Sequence, residues 1–169
     1  HNFGWFKGDT VNMGVGQGYL VSTPIQLVKY AYIIANKGKY SDLSLKKDLI
    51  KNEKSIQFNK FTNDDWYKLH ESMINVVEGN TGTARRLKDK KSYLVAAKTG
   101  TAELVSGDNR EQYVETRLDD NLRDHALIIA FGPMPNPRYA VSVVVENGES
   151  GGSVAGPVAI SVLNSLLQE

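Results

Sequence analysis

Apolar positions recur at helical spacing twice in the first half of the chain, then gather into strand-length runs in the second. Leu27, Tyr30, Ala31 and Ile34 follow the 3.6-residue period. Thr23 precedes them as an N-cap, Pro24 takes the first helical position, and Gln26 completes a capping box with the threonine. Gly38 stops the run, so a well-buried helix is predicted between. A second helix is announced by Thr62 with Asp65 three residues on, and runs to about Val77 before Gly79. Trp66, Leu69, Met73, Val76 and Val77 form its apolar face, which leaves His70 on a charged face in solvent. Residues 39–61, rich in Lys and Asn, read as surface ribbon or loop. Residues 1–22 are broken by Gly4, Gly8, Gly14, Gly16 and Gly18 and read mostly as loop. A short basic helical turn, Ala84–Lys88, follows Asn80-Thr81-Gly82-Thr83.

Three strands are predicted beyond it: Tyr93–Glu103, His125–Gly132 and Tyr139–Glu146. Pro133-Met134-Pro135-Asn136-Pro137 links the last two tightly and makes them an antiparallel pair. A charged excursion, residues 105–124 with six acids and three arginines, separates the first two and is a candidate lid or substrate contact. A last helix, about Ala155–Leu167, places Val158, Val162, Leu163 and Leu166 on one face and tolerates Pro157 in its first turn. Helices, a three-strand meander and a closing helix make the fold class α+β.

Composition narrows the function classes. At 169 residues, 41% hydrophobic and net charge +1, the chain is a folded domain with no general attraction to nucleic acid. It has no cysteine, and His1, His70 and His125 lack ligand spacing, so neither a metal site nor a cofactor is expected. No apolar run approaches the roughly 20 residues that span a bilayer. The chain opens at His1 rather than Met and reads as a piece of something longer.

The stretch that carries chemistry is Ala97-Lys98-Thr99-Gly100-Thr101-Ala102 on the first strand. Thr99 and Thr101, two positions apart, share one face and, with the Lys98 ammonium, suit a carboxylate. Gly100 lets a ligand backbone come close, and a backbone N–H of an edge strand can stabilise an oxyanion. The Gly14-Val15-Gly16-Gln17-Gly18 run does not fit a dinucleotide loop, and a nucleotide reading of Lys98-Thr99 needs a glycine where Ala97 stands. Gln17 reads instead as a brace below the cleft. His125 reads as a structural hydrogen-bonding group, and Glu146 as a partner for the backbone or a cation near the rim.

Lys98-Thr99-Gly100-Thr101 resembles the third signature of the serine acyltransferases that recognise D-Ala-D-Ala and penicillin. The likeness extends along nearly the whole chain. Gly8-Asp9-Thr10, Gly16-Gln17-Gly18 and Thr23-Pro24-Ile25-Gln26 are similar to a segment of class B penicillin-binding proteins, most closely the rod-elongation type. Gly82-Thr83-Ala84, Arg123-Asp124-His125-Ala126, Phe131-Gly132-Pro133, Glu146-Asn147-Gly148 and Gly151-Gly152-Ser153 follow in the family's order. The other two signatures are not matched. Ser44-Leu45-Lys46-Lys47 has the Ser-x-x-Lys spacing but lies in the Lys-rich ribbon and opens no apolar helix; no Ser-x-Asn occurs.

The resemblance implies a penicillin-binding transpeptidase and serine β-lactamase-like fold, of which residues 1–169 form the later part of one domain. Two upstream strands, a helix, a pedestal domain and a membrane anchor would lie outside. It implies a D,D-transpeptidase that cross-links stem peptides through a serine acyl-enzyme, bound to the periplasmic face of the bacterial cytoplasmic membrane. Lys98 would supply positive potential, Thr99 and Thr101 would bind the substrate carboxylate, Thr101 N–H would donate to the oxyanion, and Gly100 would keep the edge open. Partners would be stem peptides, β-lactams, the upstream half of the protein, an elongation glycosyltransferase and a periplasmic scaffold protein. A non-catalytic penicillin sensor or scaffold is the competing reading. By this account residues 1–169 alone are inactive, and their last strand and helix are partly uncovered.

Overall fold

A computed structural model of the chain describes residues 4–44, 46, 52–56, 61–104 and 120–168. It opens with helix α1 (Lys7–Gly14), where the glycines predicted loop. The helix buries none of its residues, so no apolar period marks it. Local bonds hold it instead: the Asp9 carboxylate accepts from Phe6 N–H at 2.8 Å, and Trp5 Nε1 donates to Thr10 Oγ1 at 2.9 Å.

Helix α2 (Pro24–Ala35) starts where its capping box places it, with Gln26 N–H donating to the Thr23 hydroxyl. Ala31, Ile34 and Ala35 are buried. A minimal ribbon follows, β1 (Lys39–Tyr40) antiparallel to β2 (Lys54–Ser55). Helix α3 (Asn63–Glu78) starts one residue after Thr62, whose hydroxyl accepts from Asp65 N–H. Its buried stripe is Trp66, His70, Met73 and Val77. His70 is therefore not solvated: it is 6% exposed, its Nε2 lies 2.8 Å from Ile34 O, and its ring meets Phe131 edge-on at 5.5 Å. The spacing 66, 70, 73, 77 is a helical stripe that the charged neighbours of His70 disguise. The basic turn after it is a 3₁₀ helix, Arg85–Lys90, anchored by buried Leu87.

The core is a three-stranded antiparallel sheet in the order β3 (Leu94–Ala102), β4 (His125–Met134), β5 (Tyr139–Val145). Strand β4 runs two residues past the expected Gly132, so Pro133 sits inside it, beside the bulge between Leu94 and Ala96. Both sheet faces are covered, which is why the strands read as continuous apolar runs. Phe131 and Ala96 pack with Ala31, Ile34 and Met73 on one face. Val95, Ala97, Ile128, Ala130 and Val141 pack on the other with Ala159, Ile160 and Leu163.

Those last three belong to helix α4 (Gly156–Gln168), entered through a π-helical turn, Gly151–Ala155. The helix lies where the sequence places it, but the buried face differs. Ala155, Ala159, Ile160 and Leu163 meet the sheet, whereas Val158 is 46% and Val162 40% exposed. The helix is apolar on both sides, and the side chosen is the one whose small residues allow a close approach to the strands.

Candidate active-site cleft

Strand β3 forms one edge of the sheet; among the described residues it pairs only with β4. The register sets Lys98 opposite Ile129, Gly100 opposite Leu127 and Thr101 opposite Ala126. In an antiparallel ladder a residue's N–H and C=O point to the same side, and the side alternates along the strand. Thr101 turns its carbonyl away from β4, because the Gln17 side-chain amide donates to it at 2.9 Å. Its N–H, and by the period of two the backbone of Thr99, therefore face the open edge. The Lys98 ammonium reaches the same edge and donates to Thr99 O at 2.8 Å. Lys98 and Thr101 are exposed, and Thr99 and Gly100 half-buried. The result is a cationic rim with N–H donors directed outward and an exposed Thr101 beside them, the chemistry that fits a carboxylate beside a developing oxyanion.

The brace expected of Gln17 is thus made to the signature strand itself. What Gly100 relieves is crowding within the sheet: a Cβ there would stand 3.3 Å from Leu127 Cβ. The Thr99 hydroxyl lies 2.9 Å from the Thr83 hydroxyl, in the loop after α3. Above this pair sits the Gly151-Gly152 turn, where even a Cβ could not fit. On Gly152 it would fall 2.2 Å from Thr83 O, and on Gly151 2.2 Å from Leu127 O and 3.2 Å from Thr99 Cβ.

The family model described as the penicillin-binding protein transpeptidase domain matches residues 1–164. The chain belongs to this family. It is 34% identical over 173 residues to the peptidoglycan D,D-transpeptidase MrdA of Haemophilus influenzae, covering 98% of this chain and 27% of the relative. It is 36% identical over 160 residues to MrdA of Acinetobacter baumannii, covering 89% and 23%. Among solved structures it is similar to Pseudomonas aeruginosa PBP2 in complex with WCK 5153, with TM-score 0.77, 34% identity and coverage of 98% of this chain and 35% of that one. It is also similar to Helicobacter pylori PBP2 in complex with MreC, with TM-score 0.74, 27% identity and coverage of 98% and 29%. The chain spans about a quarter of the length of these curated relatives.

Other residues of the penicillin-binding domain take defined places in the fold. His125 is structural, as expected, its Nδ1 accepting from Asn147 N–H at 2.9 Å. Glu149 Oε1 lies 4.0 Å from Arg123 Nε, and Glu146 is exposed. Ser44 Oγ engages the backbone of Lys46 in a local turn, and Lys47 lies outside the described residues, as does most of the charged excursion (105–119). At the base of β3, burial raises Tyr93 above the usual tyrosine value while its hydroxyl donates to Asn164 Oδ1 at 2.7 Å. Among the described residues no group of three or more His, Asp or Glu is placed to hold a metal ion, and no helix is long and apolar enough to cross a membrane. The pairing of Thr83 with Thr99 escaped the sequence reading, whose only hint was the Gly82-Thr83-Ala84 triplet.

Proposed function

We propose that this chain builds the Lys-Thr-Gly-Thr wall of a peptidoglycan D,D-transpeptidase, with Lys98, Thr99, Gly100 and Thr101 as its substrate-contacting residues. The observation that carries the reading is the open β3 edge, where the Lys98 ammonium, the Thr99 and Thr101 backbones and the Gln17 brace converge. The nucleophilic serine comes from the part of the protein upstream of His1. It attacks the penultimate D-Ala carbonyl of a stem peptide and expels the terminal D-Ala; the acyl group then passes to an acceptor amine or to water. Thr99 and Thr101 hydroxyls hold the terminal carboxylate, and Lys98 adds positive potential. Thr101 N–H is one oxyanion donor, its partner being the N–H of the serine. Removal of a single oxyanion donor costs roughly 10²–10³ in rate, so residues 1–169 hold half of a site. A β-lactam presents the same carboxylate beside a strained amide and is trapped at the acyl stage.

The protein would work at the periplasmic face of the cytoplasmic membrane during cell elongation. The Helicobacter pylori PBP2–MreC complex supports a periplasmic scaffold protein as partner. A glycosyltransferase partner rests on the family resemblance. Intact-mass spectrometry of the full-length protein with benzylpenicillin tests the reading. One penicilloyl adduct outside residues 1–169, abolished or slowed more than about 100-fold by Lys98→Ala, is expected. An adduct within residues 1–169 overturns the assignment of roles. Acyl transfer to an amine acceptor separates the enzyme from a sensor, which stops at the adduct.

A further inference from the structure

The contact that the Thr99 hydroxyl makes behind the signature strand, and Thr83 on its far side, have no part in the roles above. Thr83 Oγ1 and Thr99 Oγ1 stand 2.9 Å apart, a hydrogen bond in which either oxygen could donate. We propose that Thr83 is a positioning residue that donates to Thr99 and so commits the Thr99 proton to the substrate carboxylate. The inference rests on the reading of Thr99 as a carboxylate ligand.

A threonine hydroxyl has one proton and two lone pairs. A carboxylate can only accept, so a substrate held by Thr99 takes that one proton. The contact with Thr83 then survives only with Thr83 as donor, which satisfies a lone pair of Thr99 and polarises its O–H toward the anion. Free of ligand, the pair can be reversed at no cost in heavy-atom position. Binding sets its direction.

Thr83 is held firmly enough for this task. Ala84 N–H donates to Val76 O at 3.0 Å, which ties the loop to the end of α3, and Arg85 N–H donates to Gly82 O at 3.1 Å, which closes the turn around Thr83. From the opposite side the Gly151-Gly152 turn closes on Thr83 O and Thr99 Cβ, at separations that leave no room for a Cβ. Both threonines are thereby gripped between α3, the π turn and β3. Thr83 itself is exposed, so an isosteric change at its hydroxyl perturbs no core.

The test uses the full-length protein, with Thr83→Val and Thr83→Ser, and two probes: benzylpenicillin and its methyl ester, which lacks the anionic carboxylate. Second-order acylation by benzylpenicillin should fall about tenfold in Thr83→Val, the scale of a hydrogen bond that supports a charged contact. The ester, slow in every protein, should react equally with wild type and Thr83→Val, and Thr83→Ser should recover most of the loss. An unchanged benzylpenicillin rate in Thr83→Val overturns the proposal. An equal fall for both probes also overturns it, because a structural defect ignores the carboxylate. Wild-type protein that takes up no penicillin overturns the reading of the cleft, and this inference with it.

Discussion

Gln17 carries its amide to a carbonyl 84 residues further along the chain, and that bond links the glycine-rich segment to the signature strand. Gln17→Ala in the full-length protein should slow penicillin acylation by about fivefold to tenfold, with little change in thermal stability, since the bond is exposed. A reporter penicillin followed over time reads this directly. An unchanged rate would mean that pairing with β4 suffices to place Thr101. His70 teaches the opposite lesson at the same scale. Its burial against Phe131 and Ile34 O gives it a structural role, so His70→Ala should cost roughly 2–4 kcal/mol in denaturant unfolding. Both residues were visible in the sequence. The burial of His70 was not legible because its charged neighbours hide its place on the 66–70–73–77 stripe, whereas the strand that carries Lys98, Thr99 and Thr101 was legible because a run of strand length is a local pattern.

At the scale of elements, the helix starts were the most legible features. Thr23 with Gln26 and Thr62 with Asp65 make the bonds their spacing predicts. The Asp65 carboxyl is held below its usual value, first by the Thr62 hydroxyl and then by Thr62 N–H. A depressed carboxyl stabilises the fold above its unfolded value, near pH 4, and that contribution is lost as pH falls through the lower folded value. Amides in the first turn of α3 should therefore lose hydrogen-exchange protection on acidification below about pH 4, earlier than those in β4. In Asp65→Asn the same amides should show little pH dependence. Protection that survives equally in both proteins would remove the box as the cause. Helix α1 and the buried face of α4 were not legible. The first has no apolar stripe to read, and the second has two, between which only the sheet chooses.

At the scale of the whole molecule, the structure leaves apolar surface where a compact fold would cover it. Among the described residues β5 pairs on one side only, Val158 and Val162 look outward, and Trp5, Phe6 and Val21 are 61%, 60% and 87% exposed. A polypeptide of residues 1–169 prepared alone should self-associate, because an open strand edge beside exposed valines is a template for pairing. Light scattering after size exclusion checks this; a stable, monodisperse monomer would contradict it. The same preparation should take up no penicillin, in contrast to the full-length protein.

Caps, helical periods, strand runs and the Lys-Thr-Gly-Thr signature follow from the order of residues, because each depends on neighbours within a turn or two. The fold class followed from their succession. Tertiary structure decided the rest: that Gln17 holds Thr101, that Thr83 backs Thr99, that Gly151 and Gly152 close over both, and that α4 presents Ala159 and Ile160 rather than Val158 to the sheet. Hydrophobic pattern states which positions want cover. Which residue comes to cover them is settled only when distant segments compete for the same space at close packing.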